Sequence, residues 1–459
     1  MPDKVPTRTG GDILADQLAI QGVDRVFGVP GESYLGLLDG LYRHRTRIQF
    51  VTCRHEAAAA NMAEADGKLT GRPGIAAVTR GPGACHAAIG LHTAFQDSTP
   101  MILLVGQVAR ETREREAFQE IDYRRMFGPV AKFVAEIDSA DRVPELVARA
   151  FATATSGRPG PVVLALPEDM LVEHSEVADA KASLPVQAHP GPAQMAKLRD
   201  LLLAAARPFL IIGGGAWSAK AKQDIEHFVR TWQLPMGVSL RCQDYVDNDH
   251  ECYAGDVGIA INPALAAMVR EADLLIVAGP LLGEMTTSGY TLVDIPVPRQ
   301  TLVHIHAGAE VLGRVYQPDL AINAGAEAFA AAALALEPPG HIPWRARTRE
   351  AHLNYLAWQD RAKTPAGALD MAAVVRHLRQ ALPDDAILAS GAGNYATWFH
   401  RVFRWRRWRT QLAPTSGAMG YGVPAAIAAS LRHPDRIVIA AAGDGCFLMA
   451  GHELATAMQ

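Results

Sequence analysis

Residues 54–74 read RHEAAAANMAEADGKLTGRPG. Glu56 to Lys68 is alanine-rich, free of proline and closed near Gly71, which predicts a helix. Gln49 to Cys53 before it and Gly74 to Thr79 after it have the apolar character of strands. Arg80-Gly81-Pro82-Gly83 then makes a turn, a second helix runs to about Phe95, and Pro100 to Val105 is another strand. Strand and helix alternating at this spacing predict a parallel sheet covered by helices.

The same pattern extends along the chain. Gly160 to Pro167 reads as the strand that closes this unit, and Leu184 to Pro192 is a proline-rich connector. A second unit begins with the strand Phe209 to Ile212, ending in Gly213-Gly214-Gly215, with further strands at Leu274 to Ala278 and Leu302 to Ile305. Glu337 to Pro343 is another connector. Beyond it come an amphipathic helix from Met371 to Leu382 and a strand from Ala386 to Ala389. The turn Gly391-Ala392-Gly393-Asn394 follows, and a last strand, Ile437 to Ala442, hands over to Gly443-Asp444-Gly445. The expected fold class is α/β, with three doubly wound parallel-sheet domains at 1–183, 193–336 and 366–459.

At 459 residues the chain is too long for one ordinary core, which agrees with that division. A formal net charge of -4 gives no electrostatic case for nucleic acid or an anionic membrane. The basic, aromatic stretch FRWRRWRT (403–410) is expected to be a solvated connector or a channel edge. No apolar run reaches the roughly 18 residues of a spanning helix, and the N-terminus lacks a signal-type apolar segment. Five scattered cysteines, with no C-x-x-C pair, argue against a complete disulfide framework. Cytoplasm is the expected location.

Taken singly, the polar motifs are weak. Glu56 at a strand-to-helix junction is what the helix dipole favours anyway, and RGPGA or GDG can be mere turns. Their ensemble is specific. VFGVPGES (26–33), RHEAAAANMAEADGKLTGRPG, TRGPGA (79–84), DSTPMILLVGQV (97–108), AFQEID (117–122), GRPGPVVLALPEDM (157–170), GAMGYGVPAAIAA (417–429) and GDG (443–445) occur in this order. Together they make the chain resemble the thiamine diphosphate-dependent enzymes of the acetolactate synthase-like group, along nearly its whole length.

That resemblance implies an N-terminal pyrimidine-binding domain, a central Rossmann-like domain and a C-terminal diphosphate-binding domain. It assigns Glu56 to the hydrogen bond with a pyrimidine nitrogen that promotes the cofactor's own amino group as a base. It places Pro30, Gly31, Gly81 and Gly83 around the pyrimidine side. It puts Gly391, Gly393, Asn394, Gly443 and Gly445 on the diphosphate side, with Met419 under the bend of the cofactor. Asp444 would hold Mg2+, an ion suited to oxygen ligands. Gln119 corresponds to a glutamine near the substrate, while His92 and Gln96 share a helix face that either reaches the pocket or is plain surface. The implied reaction is carboligation or lysis of 2-keto acids, with simple decarboxylation and a non-catalytic remnant as rivals. Sites built between the subunits of a homodimer or homotetramer are implied too.

Several positions depart from the family pattern. The first loop reads Pro30-Gly31-Glu32 where PGG is usual, and Cys85-His86 stand where threonine and asparagine are expected. The central domain reads LLGEMTTSGYT (281–291) and His304-Ile305-His306-Ala307 in place of flavin-binding patterns, so whether FAD binds is left open, with the departures against it. Gly213 to Gly215 alone does not make a dinucleotide site. His452-Glu453 is not a zinc-protease helix, since position 456 is Thr. The residues after Gly445 include no Asn or Asp to serve as a second metal ligand, and the expectation is a truncated third domain.

Overall fold

In the computed structural model of the chain, the described residues are 6–360, 367 and 369–459. The expected start of the third unit at Ala366 and residues 1–5 of the first lie outside them.

Six apolar runs form the first sheet: β1 (Arg25–Gly28), β2 (Gln49–Thr52), β3 (Gly74–Val78), β4 (Met101–Gln107), β5 (Phe133–Glu136) and β6 (Pro161–Pro167). Their spatial order is β2-β1-β3-β4-β6-β5, all parallel. Every residue of β3, β4 and β6 is buried, because helices cover both faces and no residue can point to water. Helix α1 (Glu56–Thr70) follows β2, and α2 (Pro82–Asp97) follows β3. His55 caps α1 through Nδ1, and Gly71 ends it in the left-handed region at φ 73°. Alanine content has a packing cause here: Ala59, Ala60 and Ala63 are fully buried, and Gly90 of α2 lies directly against Ala60.

The second sheet contains β7 (Pro208–Ile212), β8 (Met236–Val238), β9 (Tyr253–Asp256), β10 (Leu274–Ala278), β11 (Thr301–His306) and β12 (Leu320–Asn323). Its order, β9-β8-β7-β10-β11-β12, is again parallel throughout. In the third unit, β13 (Ile387–Ser390) lies between β14 (Gln411–Leu412) and β15 (Val438–Ala441), parallel to both. Helix α3 (Asn394–Val402) follows β13, α4 (Gly422–Arg432) precedes β15, and α5 (Asp444–Ala450) follows it. The α/β class with parallel sheets in three units is what the sequence predicts.

Two segments differ from expectation. A helix spans Arg345–Asp360, just past the expected connector Glu337–Pro343, in a stretch to which no element is assigned from sequence. It docks on β9 through His352 Nδ1, 2.9 Å from the Tyr253 carbonyl, and through an edge-on Tyr253–Tyr355 contact. Its polar composition hides the narrow buried stripe of Thr348, Ala351, Tyr355 and Gln359. The FRWRRWRT run is a brace between the second and third units, not a solvated connector. Trp405 is buried; its carbonyl accepts the Asn248 N–H at 2.9 Å and its N–H donates to Asn248 Oδ1 at 3.0 Å, while Arg406 binds Asp249 at 2.7 Å and Asp384 at 2.9 Å. Trp408 and Arg409 line one cavity, and Arg406, Arg407 and Trp408 a second.

The first and third units share one core. Ala426, Ile427 and Ala429 of α4 belong to the same apolar cluster as Ala59, Met62 and Ala63 of α1. A polar network runs along this seam. Glu64, with no exposed surface, accepts from Thr99 Oγ1 at 2.7 Å and from the Tyr421 hydroxyl at 2.5 Å, and it pairs with Lys68 at 3.3 Å. Burial holds Glu64 above the ordinary carboxylate range against the pull of Lys68. Lys68 also pairs with Asp97, which accepts the Thr415 N–H at 2.8 Å. At the far end of α4, Arg432 grips Asp24 at 2.6 Å and Asp66 at 2.8 Å, and that bond pulls Asp24 down to about 2.

At the end of β11, His304 and His306 are buried, and burial pushes both down to about 4.

Two outcomes are expected. Tyr421→Phe leaves the buried Glu64 short of a donor and lowers unfolding free energy by about 1–3 kcal/mol, measured by denaturant titration. A stability unchanged within error would show that Glu64 does not depend on this bond. For the histidines, the folded-state value lies below the unfolded value of about 6.5, so the unfolded chain takes up protons first. Their contribution is therefore complete above about pH 6.5 and is lost as pH falls towards 4. Replacing both with Asn flattens the decline of stability with acid over that window; an unaltered slope counts against the assignment.

Candidate functional site

The carboxyl ends of parallel strands are where open α/β sheets hold ligands, and the chemistry-bearing residues gather at two such ends. At the first sheet, Glu56 is the opening residue of α1, with its side chain only 14% exposed. Its Oε2 lies 2.9 Å from Nδ1 of His86 on α2. Gly83 lies beside the other oxygen: a side chain starting there would sit 3.4 Å from Oε1. Gly81 adopts φ 55°, and a Cβ on it would fall 2.8 Å from that of Gln119, so only glycine lets the Gln119 loop close over the turn. Gly31 packs against Thr79, which also touches Gly83 and binds Ser33 at 2.9 Å. Pro30 and Glu32 are exposed beside them. Pro30, Gly31, Glu56, Gly81, Gly83 and Gln119 thus form one cluster.

The second cluster lies at the ends of β13 and β15 and is built around Tyr395. The Gly391 N–H donates to the Tyr395 hydroxyl at 2.9 Å, and the ring lies beside Gly393 and Gly443. The Met419 methyl packs on Gly445, 2.8 Å from where a side chain would begin. Cys446 donates to the Ala392 carbonyl at 2.9 Å, tying the two turns together. Asn394 opens α3, and Asp444 opens α5 with its side chain in the exposed class. Met419 is itself 42% exposed, an unusual position for a large apolar side chain and a suitable one for contact with a ligand.

Within the chain, the contacts that hold Glu56 come from the first unit, and those that hold Met419 and the 443–445 turn come from the third. Where the units meet nearby, buried Glu453 accepts the Arg54 N–H at 3.0 Å.

Three participants were not read from the sequence. Tyr395 organises the 391–393 and 443–445 turns although it lies outside the motifs. Arg241, in an undistinguished SLRCQD stretch, reaches from the second unit to donate to the Gly391 carbonyl at 3.0 Å and to that of Pro414. The Glu56–His86 bond depends on two helices meeting, although His86 was visible as a departure from pattern.

His92 and Gln96 line a different place, a cavity of about 1310 Å3 whose walls include Gly214, Trp217, Arg241 and Met285. Packing accounts for both glycines there, with the Gly279 and Ser98 carbonyls 2.1 and 2.5 Å from a side-chain position on Gly214 and Gly215, and Gly214 also holds φ 71°.

Among the described residues, the one group of three potential metal ligands is His55, Glu56 and His86, their donor atoms within 4.8 Å. His55 Nδ1 accepts the Ala57 N–H and His86 Nδ1 is bonded to Glu56, so both Nδ1 atoms are already engaged within the protein. Asp444 is a single oxygen donor at a helix start, the donor type that Mg2+ takes. The glycine cradles, the carboxylate beside a cleared surface and the exposed methionine fit a thiamine diphosphate.

Comparison with known proteins agrees. Residues 8–126 match the family described as thiamine pyrophosphate enzyme, N-terminal TPP binding domain; 195–333 match its central domain and 391–459 its C-terminal TPP binding domain. A probable acetolactate synthase large subunit of Methanocaldococcus jannaschii is 30% identical over 97% of this chain and 77% of its own length. The acetolactate synthase isozyme 2 large subunit of Escherichia coli is 28% identical over 97% of this chain and 80% of its own. The acetolactate synthase large subunit of Parasynechococcus marenigrum is 31% identical over 98% and 74% respectively. With three domains of one family matched in order and both clusters falling inside its TPP-binding domains, the chain belongs to the thiamine pyrophosphate-dependent enzymes, in their acetolactate synthase-like group.

Proposed function

We propose that the protein is a carboligase that joins two 2-keto acids, the reading supported by relatives named as acetolactate synthases. The observation that carries it is the first cluster: a largely buried carboxyl and an amide, Glu56 and Gln119, brought to one sheet end by close approach at Gly81 and Gly83.

When bound, thiamine diphosphate supplies a nucleophilic carbon for carbonyl addition and a sink for the electron pair released with carbon dioxide. Glu56 holds a proton at Oε1 or Oε2 towards the pyrimidine nitrogen. Met419, packed on Gly445 and 42% exposed, would offer the cofactor's rings an apolar contact. Backbone N–H groups of the 391–394 and 443–445 turns orient the diphosphate, and Asp444 provides one oxygen to Mg2+. Gln119 offers amide N–H groups to a substrate oxygen. Glu32, exposed at the mouth, favours small substrates whose carboxylate is directed away from it.

The active assembly is proposed to be a homodimer or homotetramer with sites between subunits. Phe447, Leu448 and Met449 are 43%, 80% and 60% exposed next to Asp444, an apolar surface that a second copy would cover. All five cysteines are free, which fits the cytoplasm as location. Among the described residues, no helix is long and apolar enough to cross a membrane. The departures from flavin-binding patterns at 281–291 and 304–307 weigh against FAD.

Glu56→Gln is expected to leave the fold intact and to slow proton exchange at the thiazolium carbon by roughly 10²–10⁴-fold, read by NMR after acid quench. Wild-type exchange would remove Glu56 from its role. Incubation with pyruvate and other 2-keto acids is expected to yield a branched hydroxy-keto acid; an aldehyde as sole product would make the protein a decarboxylase.

A further inference from the structure

Glu56 has a partner that the proposed chemistry does not yet use. His86 lies on the fifth residue of α2, facing the first residue of α1, and its Nδ1 is 2.9 Å from Glu56 Oε2. The two side chains differ sharply in access to water, 51% exposed for His86 and 14% for Glu56. An ionised carboxylate only accepts hydrogen bonds, so Nδ1 carries the proton in that state and the Nε2 lone pair remains for solvent. Gly83 lies near the opposite oxygen, leaving Oε1 on the side without a side chain. The carboxyl thus presents one oxygen to the imidazole and the other to a cleared surface.

Other titratable groups nearby do not fill this role. His55, whose ring centre is 4.4 Å from that of His86, accepts the Ala57 N–H on Nδ1. Burial, and then the neighbouring His86, hold it below the ordinary imidazole range. His452 lies farther out, 5.8 Å from His55. Tyr34 is buried and bonded to the Val29 carbonyl, and Cys53 is buried with its thiol raised by desolvation. Position 86 is also where the asparagine of the related motif has been replaced. An asparagine amide can steady a carboxylate, but only an imidazole can also pass a proton through itself.

We infer that His86 is a positioning residue and proton relay, connecting bulk water to the carboxyl of Glu56. This rests on the proposed role of Glu56 and names the route by which that group is recharged. In the relay the Nδ1–H bond breaks as an O–H bond forms on Oε2, while Nε2 takes a proton from a protonated buffer molecule or hydronium. The ring ends neutral in the other tautomer, with Nδ1 now accepting from the carboxylic acid, and one proton has moved from solvent to Glu56. The reverse sequence returns it.

Two measurements test this on the full chain. In the cofactor-free protein with 15N-labelled histidine, the ring shifts of His86 are expected to show Nδ1 protonated, and Glu56→Ala is expected to convert the ring to the Nε2–H form. The same tautomer in both proteins overturns the inference, whatever the cofactor does. In the cofactor-loaded protein, His86→Ala and His86→Asn are both expected to slow thiazolium exchange at least about tenfold, within the range of general acid–base contributions. Added imidazole restores the rate of the Ala variant and leaves Glu56→Gln slow. Wild-type exchange in both His86 variants, with Glu56→Gln slow, overturns the relay and leaves the proposed function standing. Slow exchange in His86→Ala but a normal rate in His86→Asn reduces His86 to a donor that steadies the carboxyl. Wild-type exchange in Glu56→Gln itself removes both the function assigned to Glu56 and the relay.

Discussion

Glu64 is an acid enclosed on every side, and its bonds to Tyr421, Thr99 and Lys68 connect elements from opposite ends of the chain. A carboxyl taken out of water is expensive to leave unpaired, so the position of Tyr421 relative to α1 is narrowly set. That constraint fixes more than a core. Glu64 lies in the body of α1, and Glu56 is its first residue; what immobilises one locates the other. Lys68, Asp97 and Thr415 extend the network to the end of α2 and to the chain leading to Met419. Both clusters of functional residues thus hang from one rigid seam.

The central unit contributes by reaching across its boundary. Arg241 holds the Gly391 and Pro414 carbonyls, Asp244 accepts from the Thr410 and Gln411 amides, and Asn248 clasps Trp405. These are mostly side-chain bonds to backbone, which place a turn without depending on what side chains that turn carries. The turn is left free to present its own groups to a ligand.

Much of this was legible beforehand, for identifiable reasons. Strands buried on both faces, such as Met101–Gln107 and Pro161–Pro167, are written as continuous apolar runs, and Gly71 marks the end of α1 plainly. The motif residues on each side also lay near their clusters in sequence or in a recognisable turn. Strands as short as Met236–Val238 carry too few residues for a pattern, and Arg345–Asp360 buries too narrow a stripe to announce itself as a helix. The Glu56–His86 bond, the reach of Arg241 and the central place of Tyr395 all depend on elements meeting in space. No local periodicity encodes them. His92 and Gln96 show the converse: their shared helix face was readable, but the cavity it faces is walled by residues of all three units.

The alanine-rich character of α1 has a consequence for how this protein can change. Ala60 is pressed against Gly90 on one side and lies in the core shared with α4, so even one added methyl group has nowhere to go. Most of α1 is closed to gradual variation, and a missense change there would disturb folding and the placement of Glu56 together. Exposed positions around its start, Pro30 and Glu32 in the first loop and Cys85 and His86 on the first turns of α2, are free of that packing and can vary without disturbing it. The departures from the family pattern at Glu32, Cys85 and His86 fall on that permissive rim.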